Sequence, residues 1–131
     1  MPNNISIKLG QYNLDRKTCG KFLGVTLDEG LTFRDHVKHV HNKVSKLTEL
    51  LSKLKNFFPI EILKNLYFSL IYPYLNYCIL AWGAVQKTIL LKLGFCQKKI
   101  VRILTNSDYL AHTKPLFKLT GNSWIKWNIC L

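Results

Sequence analysis

Basic side chains at helical spacing are the feature of this sequence with the clearest chemical meaning. They recur in steps of three, four and seven residues, so a helix would place them in one stripe: His36, His39, Lys43, Lys46 and Lys53. At about 1.5 Å per residue the stripe is roughly 25 Å long. It could follow several phosphates of a nucleic-acid backbone, although a solvated lysine face has the same pattern. We predict that these residues bind nucleic acid.

A second basic cluster lies near the end of another predicted helix, Thr88 to Leu104. Helical periodicity places apolar residues of this segment inward, namely Ile89, Leu93, Cys96, Ile100 and Leu104. The same periodicity places Lys92, Lys98, Lys99 and Arg102 mostly outward. We therefore predict that Lys98, Lys99 and Arg102 form a second nucleic-acid-binding patch.

The residue types that support catalysis or metal binding are scarce. His36 and His39 share a helical face and suggest a metal site, but no cysteine or carboxylate stands at ligand spacing to complete it. Asp28 and Glu29 form the one adjacent acidic pair, whereas two-metal phosphoryl transfer needs several converging carboxylates. Nucleophile, metalloprotease and phosphate-loop motifs are absent. The sequence predicts no catalytic residue, no metal site and no cofactor, so the chain is not expected to be an enzyme by itself.

The net charge indicates a polyanionic partner. The chain has 131 residues, with 19 Lys and Arg against 7 Asp and Glu, giving a formal charge of +12. Such an excess favours nucleic acid or an anionic membrane surface. The 4 cysteines are widely separated and form no CxxC pair, and the first residues lack the apolar core of a signal peptide. We expect an intracellular protein, nuclear or cytoplasmic, that is not secreted.

The segment from Asn65 to Gln86 carries no charge and is long enough to span a bilayer. Its tyrosines and the central Pro73 favour a buried helical hairpin or a kinked core helix instead. Membrane association is therefore the lowest-ranked alternative for this chain.

Short β segments are predicted at the start of the chain. Alternating residues predict a strand over Ile5 to Leu9, and Tyr12 to Asp15 follow as a second short strand. A third strand is predicted over Phe22 to Leu27, interrupted by Gly24, with a turn over Asp28 to Gly30. These segments predict a β-hairpin or small sheet.

Helices are predicted for most of the remaining sequence. The first is expected from Phe33 to Phe58, with Thr32 as its N-cap, Asp35 completing a variant capping box and Leu31 as a staple. Its apolar seam consists of Val37, Val40, Val44, Leu47, Leu51, Leu54 and Phe58. The later predicted segments are Ile60 to Tyr72 with a break or kink at Pro73, Tyr74 to Trp82, Thr88 to Leu104, and Lys114 to Leu119. The predicted fold is α+β, mainly α, with a bundle of about four helices.

The order of three segments resembles a known family. KFLGVTLDEGLTFRDHV, LYFSLIYPYLNYCILAWG and LLKLGFCQKKIVRILTNSDYLAHTKPLFKLTG resemble the C-terminal part of reverse transcriptases of LINE-type, jockey-like non-LTR retrotransposons. The resemblance extends from Ile5 to Gly121. It implies that Phe22, Leu23 and Gly24 match the primer grip and that the helix from Phe33 to Phe58 is the first thumb helix. It also implies a primer-grip-like segment over residues 1–31, a thumb-like helical domain over 32–121 and an irregular tail over 122–131.

The resemblance also implies which parts of such a polymerase would lie elsewhere. The family's catalytic motif, with its paired aspartates, precedes the FLG segment, and the family uses a divalent metal, Mg²⁺. The expected function is that of a reverse-transcriptase fragment that binds template–primer duplex without the double aspartate. Its expected partners are RNA or RNA–DNA duplex and the missing palm and fingers. The alternative is a stand-alone basic helical nucleic-acid-binding protein.

Overall fold

The computed structural model describes residues 7–77, 86–113 and 115–116. Four strands come first: β1 (Ile7–Leu9), β2 (Tyr12–Leu14), β3 (Cys19–Phe22) and β4 (Val25–Asp28). The α-helices in this part of the chain are α1 (Arg34–Leu54), α2 (Ile60–Leu66), α3 (Tyr72–Asn76) and α4 (Lys87–Leu104). A π-helical turn, Tyr67–Ile71, joins α2 to α3. The predicted α+β, mainly α fold is confirmed.

The strands form two separate antiparallel hairpins. In the first, Ile7 lies opposite Leu14, as the predicted pair of short strands implies. In the second, Phe22 lies opposite Val25, so the prediction of one strand over Phe22 to Leu27 is wrong. Leu23 and Gly24 form a two-residue turn with φ of 46° and 83°. Such turns need positive φ at both central residues, and glycine adopts this conformation most easily.

The connection from β4 to α1 is organised by the Asp28 carboxylate. One carboxylate oxygen accepts hydrogen bonds from the backbone N–H and the hydroxyl of Thr32, and the other accepts one from the backbone N–H of Phe33. The prediction of Thr32 as N-cap is wrong, because its hydroxyl donates to Asp28 instead of accepting from the helix. Phe33 occupies the cap position with φ 53° and without a side-chain cap bond.

Helix α1 places one apolar side in the core, as its periodicity predicts. Val37, Val40, Val44 and Leu51 are buried, while Leu47 and Leu54 are partly buried against the same cluster. The helix ends at Leu54, and Phe58, predicted as the last residue of the seam, is 43% exposed. The core lies mainly between α1 and α4, with α2, the π turn and α3 beside them.

Pro73 lies within a continuous helical path, so a break at this residue, one of the two predicted alternatives, is wrong, and a kink stays a prediction. The π turn before it is closed by a hydrogen bond from the Tyr72 N–H to the Tyr67 carbonyl. The Ser69 hydroxyl donates to the carbonyls of Asn65 and Leu66. Because proline has no N–H to donate, a wider turn ahead of it allows the helix to continue.

Helix α4 confirms the predicted segment from Thr88 to Leu104 almost to the residue. Its inward side buries Leu90, Leu93, Gln97, Ile100, Val101, Ile103 and Leu104. The predicted inward residues Ile89 and Cys96 are partly buried. The predicted segment Tyr74 to Trp82 beyond Tyr77, most of the predicted helix Lys114 to Leu119, and the tail lie outside the described residues. Within the described ranges, every helix is too short or too polar to cross a membrane.

Candidate nucleic-acid interface

A cleft of about 510 Å³ lies between the β3–β4 turn, the first half of α1, and α3. The residues that line it come from these three places in the sequence: Lys21, Gly24, His36, His39, Val40, Lys43, Pro73, Tyr74 and Tyr77. The cleft brings part of the predicted basic stripe beside part of the predicted primer-grip segment. Its position follows from packing, because α1 contacts both β4 and α3.

The β3–β4 turn is held against the end of α3 by Tyr77. The Tyr77 hydroxyl donates a hydrogen bond of 2.5 Å to the Leu23 carbonyl. A Cβ added to Gly24 would lie 3.5 Å from a carbon of the Tyr77 ring, so the ring packs along the turn. Phe22 and Leu23 extend into solvent and are 65% and 73% exposed. Of the predicted primer-grip residues, Gly24 lines the cleft, and Phe22 and Leu23 are not among the described residues that line it.

His36 differs from the rest of the basic stripe because its side chain is buried. Its Nδ1 accepts a hydrogen bond of 3.3 Å from the Thr26 N–H, which links α1 to β4. Burial lowers the pKa of His36, and the positive charges of His39 and Lys21 lower it further. The neutral ring is therefore the form that this position favours. Contact between His36 and nucleic acid stays a prediction.

The remaining stripe residues are exposed, but they separate into two groups along α1. His39 and Lys43 line the cleft. Lys46 and Lys53 lie further along the helix, where they are exposed to solvent and are not among the described residues lining the cleft. Lys21, on β3, adds a cation that the helical pattern could not identify. Only the hairpin brings Lys21 beside α1, so nothing in the local sequence indicated it.

The predicted patch of Lys98, Lys99 and Arg102 lies on α4 and is separate from the described lining of the cleft. The Lys98 Nζ is 5.6 Å from the centre of the Phe95 ring. The Arg102 Nε donates a hydrogen bond of 3.1 Å to the Ala111 carbonyl, and its Cζ is 5.8 Å from the Tyr109 ring centre. The two predicted basic regions thus belong to two surfaces.

The described lining of the cleft suits an anionic ligand. It contains Lys21 and Lys43 with two histidines, and no aspartate or glutamate among the described lining residues. The Tyr74 and Tyr77 rings add flat surfaces with polar tips, which favour contact with sugars or bases. Within the described parts of the chain, no group of at least three His, Cys, Asp or Glu side chains could hold a metal ion. The ammonium groups of Lys21 and Lys43 in this lining suit phosphate groups.

Comparison with known proteins finds relatives that match most of this chain. The chain is 28% identical over 121 residues to a probable RNA-directed DNA polymerase from transposon BS of Drosophila melanogaster, covering 89% of this chain and 13% of that protein. It resembles RNA-directed DNA polymerases of mobile elements. It is also 28% identical over 100 residues to the RNA-directed DNA polymerases from mobile element jockey of Drosophila melanogaster and Drosophila funebris, covering 73% of this chain and 11% of each.

The resemblance to these polymerases extends over most of this chain but only a small part of theirs. The chain spans 11–13% of the length of these curated relatives. No family model and no solved structure matches it.

Proposed function

We propose that the chain is the primer-grip and thumb part of a non-LTR retrotransposon reverse transcriptase and that it binds template–primer duplex. The similarity to RNA-directed DNA polymerases along most of the chain supports this assignment. In this proposal, residues 1–31 are the primer-grip-like segment, 32–121 the thumb-like domain and 122–131 a tail that lies outside the described residues. The protein acts inside the cell, in the nucleus or cytoplasm.

The observation that carries the proposal is the cleft between the β3–β4 turn and α1. It brings Lys21 together with Lys43 across a turn whose Gly24 has no side chain. A backbone without a side chain permits close approach of a ligand, and the two ammonium groups suit neighbouring phosphates. Lys46 and Lys53 continue the positive surface along α1, so a duplex beyond the cleft would meet further cations.

The proposed fragment contributes binding and no catalysis. The sequence contains no two adjacent aspartates, so the family's double-aspartate motif has no counterpart among its residues. In this proposal the Mg²⁺ ions of the reaction belong to the palm, which together with the fingers is the expected partner of this chain. The exposed apolar side chains of the first hairpin, Ile7 at 57% and Leu9 at 69%, support contact with such a neighbour.

Fluorescence anisotropy with a labelled RNA–DNA hybrid tests the proposal across a salt series. We expect affinity to fall steeply as salt rises, because each phosphate contact releases counterions and contributes about 0.9 to the slope of log K against log salt. Lys21→Ala and Lys43→Ala should each weaken binding and lower the slope by about one such contact.

Lys38→Ala is the matched control for this experiment. Lys38 is an exposed lysine of the same helix and is not among the described cleft residues. The loss of Lys38 changes the net charge as much as the loss of Lys43 does. Because Lys38 does not line the described cleft, Lys38→Ala should leave most of the affinity intact. Equal losses of affinity for Lys38→Ala and Lys43→Ala would show that the effect comes from net charge alone. Absence of hybrid binding at low salt would overturn the proposed function.

A further inference from the structure

The outer side of α4 carries an exposed aromatic ring among basic residues. The helix buries Leu93, Ile100 and Leu104 on its inner side. The positions on the opposite side include Phe95, which is 65% exposed, and the exposed Lys99. An exposed phenylalanine is not unusual by itself. The arrangement of cations around the ring, and a second exposed ring nearby in sequence, distinguish this surface.

Each of the two rings has a cation beside it. The Lys98 Nζ lies 5.6 Å from the Phe95 ring centre, and the Arg102 Cζ lies 5.8 Å from the Tyr109 ring centre. These distances are within the range of cation–π attraction. Tyr109 nevertheless remains 79% exposed. We name the set Phe95, Lys98, Lys99, Arg102 and Tyr109 the α4 aromatic face.

The loop that carries Tyr109 is fixed to the helix. The Arg102 Nε donates to the Ala111 carbonyl at 3.1 Å, and the Ser107 N–H donates to the Arg102 carbonyl at 3.0 Å. The Thr105 hydroxyl is 2.8 Å from that of Ser107. Hydrogen bonds on both sides of Tyr109 therefore hold its backbone near the end of α4. Because this backbone is already fixed, binding a flat partner requires ordering only of the Tyr109 side chain.

Charge and shape together indicate the partner. The α4 aromatic face has three cations, and the acid adjacent to it in sequence is Asp108. Single-stranded nucleic acid offers phosphates to such cations and flat bases to exposed rings. In a duplex the bases are already stacked on one another, and their faces are inaccessible to the rings. The exposed rings therefore favour an unpaired strand over a duplex.

We propose that the α4 aromatic face binds single-stranded nucleic acid, with bases stacked on Phe95 and Tyr109 and phosphates beside Lys98, Lys99 and Arg102. This inference rests on the proposed function and assigns the single strand to a surface that shares no described residue with the cleft. The cleft then holds duplex, and the α4 aromatic face holds the unpaired strand.

The test uses the full chain and two labelled single strands of equal length, oligothymidylate and an oligomer in which abasic sugars replace most thymidines. We expect the chain to bind oligothymidylate more tightly than the abasic strand, because stacking needs a base. Phe95→Ala and Tyr109→Ala should each weaken oligothymidylate binding about tenfold, in line with stacking at one ring. The double variant should bind both strands equally.

Matched controls separate stacking from general loss of apolar surface. Phe57, just after α1, is 80% exposed and Tyr12, on β2, is 78% exposed. Phe57→Ala and Tyr12→Ala should leave oligothymidylate binding unchanged. Phe95→Leu keeps an apolar side chain without the aromatic ring and should behave like Phe95→Ala. Circular dichroism of each variant shows that the helices are retained.

The outcomes distinguish this inference from the proposed function. If the chain binds oligothymidylate and the abasic strand equally, or if Phe95→Ala and Tyr109→Ala bind like the unchanged chain, the single-strand inference is overturned. Binding of the RNA–DNA hybrid, measured in parallel, tests the proposed role of the cleft. If the chain still binds the hybrid in such a case, the proposed function is retained. If the chain does not bind the hybrid at low salt, the proposed function itself is overturned.

Discussion

The Tyr77 hydroxyl donates a 2.5 Å hydrogen bond to the Leu23 carbonyl, 54 residues earlier in the chain. This bond joins the tip of the β3–β4 hairpin to the end of α3. Most of that hairpin is exposed, and Val25 is its one buried residue within the described part of the chain. The Tyr77 bond therefore helps to hold the turn in position from a point distant in sequence.

Tyr77→Phe should weaken the proposed duplex binding without unfolding the protein. The substitution removes one hydrogen bond on a half-exposed side chain, so the free energy of unfolding should fall by about 1 kcal/mol or less. The affinity for the RNA–DNA hybrid should show the larger effect, because the turn loses its attachment to the end of α3. Urea unfolding and anisotropy measure the two effects. Tyr12→Phe, on an exposed tyrosine that is not among the described cleft residues, is the control, and an equal loss from both variants would contradict a specific role for Tyr77.

Gly24→Ala should destabilise the β3–β4 turn. Gly24 has φ 83°, and an L-residue held in the left-handed region costs about 1–2 kcal/mol. The added Cβ would make an ordinary contact of 3.5 Å with Tyr77, so backbone strain is the main cause. Gly20→Ala provides the comparison, since Gly20 lies in the same hairpin, without positive φ and with no atom within 4 Å of an added Cβ. The midpoint of thermal unfolding should be lower for Gly24→Ala than for Gly20→Ala. Equal midpoints would contradict the strain argument.

Stability should decrease as the pH falls below about 6.5, the ordinary pKa of histidine. Burial lowers the pKa of His36 in the folded protein, so the unfolded state binds a proton that the folded state does not. The loss of stability begins as the pH falls to the pKa of His36 in the unfolded state. It stops once the pH has fallen below the pKa of His36 in the folded state. Protonation of Nδ1 would also break the hydrogen bond from the Thr26 N–H.

Urea unfolding between pH 7.5 and pH 5.0 measures this dependence. His36→Asn keeps an acceptor near the Thr26 N–H and does not titrate in this range, so it should remove much of the pH dependence. His112→Asn removes an exposed histidine that is not among the charges lowering the pKa of His36, and it is the comparison. A pH dependence unchanged in His36→Asn but reduced in His112→Asn would show that His36 is not the responsible group.

Asp28→Asn should loosen the start of α1. The Asp28 carboxylate accepts three hydrogen bonds from Thr32 and Phe33, and the Thr32 hydroxyl bond is the main cause of its lowered pKa. An amide has one acceptor oxygen where the carboxylate has two, so the variant should lose several degrees of thermal stability. The contribution of Asp28 is present above pH 3.8 and is lost as the pH falls through the lower folded pKa. Asp15→Asn is the matched control, and equal midpoints for the two variants would contradict the capping role.

The sequence was most informative where a repeating pattern controls structure. Apolar spacing predicted the buried side of α1 from Val37 to Leu51 and the limits of α4. The same spacing located His39 and Lys43, which now line the cleft. Helical periodicity is a local property, so it can be identified before any long-range contact is known.

Predictions that depended on one residue or on distant packing were less successful. Gly24 was interpreted as an interruption within a strand, whereas it forms half of a tight turn. Thr32 has the chemistry of an N-cap, but Asp28 competes for its hydroxyl. Lys21 and Tyr77 were missed because only the folded chain brings them to α1. Local patterns do not contain that information.

The π turn before Pro73 determines the direction in which the cleft tyrosines face. Leu63, Tyr67, Ile71 and Leu75 are all buried at intervals of four residues. In a regular α-helix, residues four apart do not stay on one side, because each step of four turns further around the helix axis. The wider turn over Tyr67–Ile71 compensates for this rotation. Removal of one residue from this turn would shift the rotational phase of everything after it by about 100°. Tyr77 would then point away from Leu23, so the length of this one turn couples the helical core to the hairpin.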